Sequence, residues 1–333
     1  MGLAIGGFHR SGTSSVTQHL AQSGLNPGTN LIGANEYNRY GHFEDWPPVT
    51  FHDEVLAAAG LDWASVTYND IPLVERDREF IRGYCAEREA NAPVWGFKDP
   101  RVCQFLGHWM DVVPSLKALI VYRSPAECSW SLYRRSVREV VQGTDRNQTS
   151  ARFLTEPDHA LALWVTHNEK LLEVARRFPE RTIVVGHASF AAGRNLASEV
   201  RDRLGLDLEP ADVADTFDAK AVTRAVAPLP VMNWELASAA GDIWDEFESL
   251  DTAGKGNFGH AAAQFSDDPT GLILTNALLT LQIGETRKLV DREFNHNKEK
   301  AAIKVARKLK RWPFSLFFSR SDKYRSLIDE ILK

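Results

Sequence analysis

Cysteine is scarce in this chain of 333 residues, which carries only Cys85, Cys103 and Cys128. Three is an odd number, and the spacing fits neither a disulfide framework nor a zinc site, so they read as buried thiols of a reducing compartment. No apolar run approaches the ~20 residues that cross a bilayer. No charged stretch followed by an apolar one precedes the first strand pattern, so a cytoplasmic chain is expected. In that setting the acceptor-like run Asn147-Gln148-Thr149 has no consequence. A basic excess is also missing. With a net charge of −5 the chain has no general attraction to nucleic acid, and a polyanion must be met by a local patch. There is no internal repeat. What is present, 44% hydrophobic residues, fills the core of one large α/β domain, with or without an appendage.

The most informative stretch runs from Leu3 to Val16. A short apolar run gives way to a turn rich in Gly, Ser and Thr, and then to a helix over about 14–23. Backbone N–H groups of such a loop and of the first helical turn converge, and the helix dipole adds positive charge there. Arg10 brings a full charge. The hydroxyls of Ser11, Thr13, Ser14 and Ser15 can donate to phosphate oxygens, Gly12 serves the turn, and His9 lies inside the loop. Against the pattern G-x-x-x-x-G-K-[ST], Gly7 to Ser14 keeps both glycines and the final Ser, but Thr13 stands in place of the lysine. Hydrolysis of ATP or GTP needs that lysine, so the loop suits a single phosphate. The competing reading is an ordinary strand-to-helix turn.

A long polar loop over about 24–48 follows, dense in carboxylates and aromatics, with Glu36, Tyr37, Tyr40, His42, Phe43, Glu44, Asp45 and Trp46. Helices are expected over about 49–59 and 73–89. A strand at 94–97 ends in Lys98-Asp99-Pro100-Arg101, and a nearly all-apolar strand at 116–122 ends in Arg123-Ser124-Pro125. Both deliver their polar ends to the edge where open α/β sheets bind ligands. Arg123 and Ser131, about two helical turns apart, can close on one phosphate from two sides. Lys98, Asp99 and Arg101 either meet substrate or form a structural ion-pair network. Beyond a helix to about 140 come a flexible polar loop at 143–155, a helix over 158–178, a strand at 181–186 and a helix over 191–204. This alternation predicts a parallel, doubly wound sheet.

Past residue 251 the chain turns to Gly, Ser, Asp and Asn, and 270–311 reads as one long helix or two. Its basic end runs into the aromatic cluster of 312–318. The favoured reading is a solvated charged helix packed at its aromatic end on the core or on a second subunit. A peripheral contact of 298–318 with an anionic membrane surface is the alternative.

Three segments, in order, resemble the sulfotransferases that use 3′-phosphoadenosine 5′-phosphosulfate (PAPS), in the form common among bacterial and carbohydrate-directed members. Gly7-Phe-His-Arg-Ser-Gly-Thr-Ser-Ser15 is similar to their 5′-phosphosulfate loop, and Arg123-Ser-Pro-Ala-Glu-Cys-Ser-Trp-Ser131 to their 3′-phosphate site. Lys98-Asp-Pro-Arg101 resembles a tetrapeptide common in those members, where the cytosolic branch has its catalytic histidine. Gly41-His-Phe-Glu44 looks like their Gly-aromatic-Glu element. The resemblance covers about residues 3–205 and departs at His187-Ala-Ser-Phe190, where a Tyr-acidic pair is usual.

The resemblance implies an α/β, P-loop-like three-layer sandwich with a central parallel sheet, spanning 1–250. A linker or loop at 251–269 and a helical C-terminal extension at 270–333 complete the expected layout. It implies transfer of the sulfuryl group of PAPS to a hydroxyl of a carbohydrate or glycosylated metabolite, with PAP as product and no metal. The donor would be held by His9, Arg10, Ser11, Gly12, Thr13, Ser14, Ser15, Arg123 and Ser131. The chemistry would fall to Glu44 as base, with Arg10, Lys98 and Asp99; Glu36, His42, Asp45 and Asp99 remain candidates for the base. A small-molecule or glycan acceptor and no nucleic acid are expected as partners, and a homo-oligomer is open. The alternatives are a kinase-like phosphotransferase of the same fold and a non-catalytic nucleotide-binding or scaffold protein.

Overall fold

The computed structural model describes residues 1–33, 41–67, 69–145, 149–156, 158–211, 213, 228–251, 265–266, 296 and 300. The readings placed on Glu36, Tyr37, Tyr40, the 270–311 helix and the 298–318 membrane contact lie, apart from residues 296 and 300, outside the described residues.

Four parallel strands form the central sheet in the order β2-β1-β3-β4, with β1 at Gly2–Gly6, β2 at Trp95–Lys98, β3 at Lys117–Tyr122 and β4 at Thr182–Gly186. Ile5 lies opposite Lys98, Gly6 opposite Ile120, and Tyr122 opposite Gly186. The chains that leave the four strand ends therefore start side by side.

Alternation along the strands separates two cores. Leu3, Ile5, Leu119, Val121, Ile183 and Val185 face one side, where they meet Val16 and Leu20 of α1 (Thr13–Gln22) and Val200 and Leu204 of α9 (Leu196–Leu204). Ala4, Phe97, Ala118, Ile120 and Val184 face the other. That larger core takes in α2 (Trp46–Ala58), α3 (Glu75–Asn91), α4 (Leu106–Val112), α5 (Pro125–Val141), α7 (His159–Arg177) and α10 (Trp234–Leu250). Strands apolar on both faces require helices on both, which is the three-layer α/β sandwich expected.

Local differences from the sequence reading have local causes. The polar stretch expected to be a flexible loop contains α6 (Thr149–Thr155), because Asp145 accepts the backbone N–H groups of Ser150 and Ala151 at 3.0 and 2.9 Å and so caps a helix of low apparent propensity. The helix expected over 191–204 starts only at Leu196, as α9, and is preceded by a short helix the sequence reading did not contain, α8 (His187–Ala191), the two being separated at Gly193 with φ 98°. Among the described residues a short parallel pair, β5 (Leu229–Pro230) with β6 (Phe265–Ser266), stands apart from the main sheet. Asp251, at the end of α10, accepts from the Gly186 N–H at 2.8 Å and from the Tyr122 hydroxyl, so α10 is tied to the same edge of the sheet.

Candidate active site

The loop after β1 is shaped by its backbone. The Ser11 N–H donates to the Phe8 carbonyl at 3.0 Å, closing a tight turn in which Arg10 adopts φ 70°. A left-handed conformation at a non-glycine residue is strained by about 1–3 kcal/mol and is held here by the surrounding structure. Gly12 follows at φ 89°, and a Cβ there would sit 2.2 Å from Cδ2 of His187, so only glycine allows the close approach. Gly12 offers no side chain to cap α1, so the helix N-terminus meets whatever enters the loop.

Arg10 is the exposed cation of this loop. Its Nε donates to Ser131 Oγ at 2.9 Å, and among the described residues no carboxylate pairs with it. Crowding by neighbouring atoms, then the charges of Arg135 and Arg123, lower its pKa. Arg10 stands in a concavity, where many atoms surround a charge that solvent still reaches. Arg123 is positioned by its own contacts: Nη1 donates to the Arg10 carbonyl at 3.0 Å and Nε to Glu127 at 2.8 Å. Ser131 thus meets Arg10, and Arg123 braces the loop backbone.

Thr13 and Ser11 are buried, and Ser11 Oγ lies 3.8 Å from Cys128 Sγ. Ser14 donates to the His42 carbonyl at 3.3 Å, bringing the 41–45 segment against the loop, while Ser15 is half-buried on the first turn of α1. Glu44 stands in that segment. Its Oε1 receives Lys98 Nζ at 2.6 Å, and both groups are buried. His42 Nδ1 lies 3.9 Å from the same oxygen, and burial lowers the His42 pKa despite the carboxylate.

Asp99 is fully buried. Oδ2 is 2.7 Å from His52 Nδ1, and Oδ1 accepts from Arg101 Nη1 at 2.8 Å. The Trp109 indole, a donor only, gives its N–H to His52 Nε2 at 2.9 Å, so the His52 ring proton sits on Nδ1 and points at Asp99. Burial would raise the Asp99 pKa, but the Arg101 guanidinium and the hydrogen bond from His52 outweigh it and hold the carboxyl well below the usual range. Arg101 also pairs with Asp53 at 2.6 Å. Asp45, another base candidate, is buried and accepts from the Tyr84 hydroxyl at 2.9 Å.

His9 is buried with Nε2 lacking a hydrogen-bond partner, its ring 4.5 Å from that of Trp63. Burial, then His167, Arg101 and Arg135, push its pKa well below the ordinary value, so it is neutral at physiological pH. The edge therefore gathers Arg10, Ser11, Gly12, Thr13, Ser14, Glu44, Lys98, Arg123 and Ser131, while Asp99 stays behind it in a sealed network. His187, Arg135 and Trp63 also stand at this edge. Arg135 alone carried a signal in the sequence, a fourth-residue step from Ser131 along one helix face. Among the described residues no group of side chains could hold a metal ion.

No protein-family model matches the chain, and no curated protein matches it. Solved structures that align with it include two sulfotransferases. A sulfotransferase from Alicyclobacillus acidocaldarius is 16% identical over 75% of this chain and 94% of its own, with a TM-score of 0.40. The sulfotransferase domain from the curacin biosynthetic pathway is 14% identical over 67% of this chain and 80% of its own, with a TM-score of 0.37. At that distance neither alignment speaks to chemistry.

Proposed function

We propose that the chain is a sulfotransferase that moves the sulfuryl group of PAPS to a hydroxyl of a carbohydrate or glycosylated metabolite. The observation that carries this reading is Arg10: an exposed guanidinium without a carboxylate partner among the described residues, beside a helix N-terminus that no side chain caps. Such a loop receives one phosphate or phosphosulfate group. Arg123 and Ser131 flank it and suit a second, separate phosphate. A triphosphate chemistry is disfavoured, because Thr13 replaces the loop lysine and Lys98, on the neighbouring strand, is paired with Glu44.

In the reaction an acceptor oxygen forms a bond to sulfur as the bridging sulfur–oxygen bond breaks, and the electron pair leaves on the 5′-phosphate. Arg10 and the N-terminus of α1 stabilise the charge that grows there. Glu44 takes the acceptor proton on Oε2 while Lys98 fixes Oε1 and the orientation of the carboxylate. Asp99 acts through Arg101, as a positioning residue. Incubation of the protein with sulfur-labelled PAPS and a panel of sugar acceptors tests this reading. Label on an acceptor with equimolar PAP supports it; label transfer from γ-labelled ATP with Mg²⁺, and none from PAPS, would replace it with the phosphotransferase reading.

A further inference from the structure

Arg135 is the second guanidinium at this edge with an open fork. Its Nε donates to Glu139 Oε1 at 2.6 Å, while Nη1 and Nη2 have no hydrogen-bond partner among the described residues, and the side chain is 33% exposed. Glu139 is itself fixed, since Ser150 Oγ donates to its other oxygen. The guanidinium stands over the Trp63 ring, 5.4 Å from its centroid. Trp63 stacks on Phe153 at 5.6 Å and touches His9 at 4.5 Å. The segment carrying Trp63 is clamped: Asp62 accepts from Arg152 at 2.6 Å, from Thr149 at 3.2 Å and from the Ala64 N–H at 3.0 Å. Arg135 and Trp63 are therefore preorganised, and neither belongs to the phosphate loop.

Their position lies next to the reacting centre. Ser131, one turn before Arg135 on the same face of α5, holds Arg10, and Arg135 lowers the proton affinity of His9, Arg10 and His42 alike. Its positive field therefore reaches both the donor loop and the Glu44 segment despite Glu139. The other strong cations of the edge are accounted for: Lys98 pairs with Glu44, Arg101 with Asp99 and Asp53, and Arg123, braced through Nε by Glu127, is the one assigned to the second phosphate of the donor. With the donor's two phosphates assigned to Arg10 and its loop and to Arg123 with Ser131, the open fork of Arg135 is left for an anion that the donor does not supply.

We infer that Arg135 is a specificity residue that receives an anionic group of the acceptor, a carboxylate or a sulfate or phosphate ester, on its Nη pair, with Trp63 as the adjoining wall. This rests on the sulfotransferase reading and narrows its acceptor to an acidic one. A planar fork with both terminal N–H groups open matches such a group bidentately, and a neutral sugar would leave it unmatched.

The test uses p-nitrophenyl β-glucuronide and p-nitrophenyl β-glucoside, which differ at the carboxylate, titrated calorimetrically into the full chain saturated with PAP. The glucuronide is expected to bind at least about tenfold more tightly, a difference of ~1.4 kcal/mol, by virtue of a charge-assisted fork. Arg135→Gln should abolish that preference, and Arg135→Lys, which keeps charge without the fork, should leave part of it. Affinity for PAP should stay within about twofold in Arg135→Lys, which keeps the charge whose field reaches the donor loop, and should fall less than about tenfold in Arg135→Gln. Equal binding of the two sugars by the wild type, or absence of binding by both, overturns the inference, as does a large loss of PAP affinity in both variants. If Arg135→Gln does not fold, a preference in Arg135→Lys equal to that of the wild type overturns it. Failure of PAP to bind the wild-type chain sinks the donor reading itself, a result distinct from the loss of acceptor preference.

Discussion

Glu44 and Lys98 form the pair on which the chemistry turns. Glu44→Gln keeps the shape and a partner for Lys98 but removes the proton acceptor, so kcat should fall about 10²–10⁴-fold while PAP binding in the calorimeter is unchanged. Lys98→Met acts differently: it leaves a buried carboxylate without its cation, and urea unfolding should show a loss of about 3–5 kcal/mol. Adding Glu44→Gln to Lys98→Met should recover most of that loss, and equal additive effects would mean the two do not interact. Each residue was legible in the sequence as a candidate; that they touch across 54 positions was not, because spacing says nothing about two loops that meet only in the folded sheet. Asp99 shows the complementary limit. Its place in Lys-Asp-Pro-Arg marks it as functional, yet its oxygens go to Arg101 and to His52, a lone helix histidine with no pattern to flag it.

At the scale of elements, the loop between β1 and α1 depends on the backbone as much as on side chains. Gly12→Ala places a methyl group against the His187 ring in a conformation that disfavours any side chain. The variant should lose about 1–3 kcal/mol in thermal or urea unfolding and should bind PAP more weakly. Unchanged PAP affinity in Gly12→Ala would show that the loop is not the donor site. This loop was readable because glycine, serine and a strand-to-helix change all report on local geometry. α6 was not, since its helix rests on a cap from Asp145 and on the packing of Phe153 against Trp63, contacts that its own seven residues do not display.

For the whole molecule, burial of histidines sets the response to acid. Burial pushes His167 down to about 4, and burial together with the Arg123 charge pushes His187 down to about 3. Both folded values lie below the unfolded value near 6.5, so the unfolded chain binds protons first. Their stabilisation is complete above about pH 6.5 and is lost as pH falls toward the folded values, reaching about 2 kcal/mol per histidine at pH 5. Asp99, held low by Arg101 and His52, extends the loss below about pH 4. Urea midpoints should therefore fall steadily from pH 7 to pH 5, and less steeply in His167→Gln; a flat profile would contradict the burial of these rings. The alternation of apolar strands and helices made the three-layer plan legible. Strand order and the two separate cores emerged only when the strands were paired.

The most direct measurement is calorimetric titration of the wild-type chain and Arg10→Ala with adenosine 3′,5′-bisphosphate, and separately with ATP and Mg²⁺. The bisphosphate should bind the wild type and bind Arg10→Ala at least about tenfold more weakly, the loss of one charge-assisted contact, with ATP much the poorer ligand. Preferential binding of ATP with Mg²⁺, or bisphosphate binding indifferent to Arg10, would contradict the donor site.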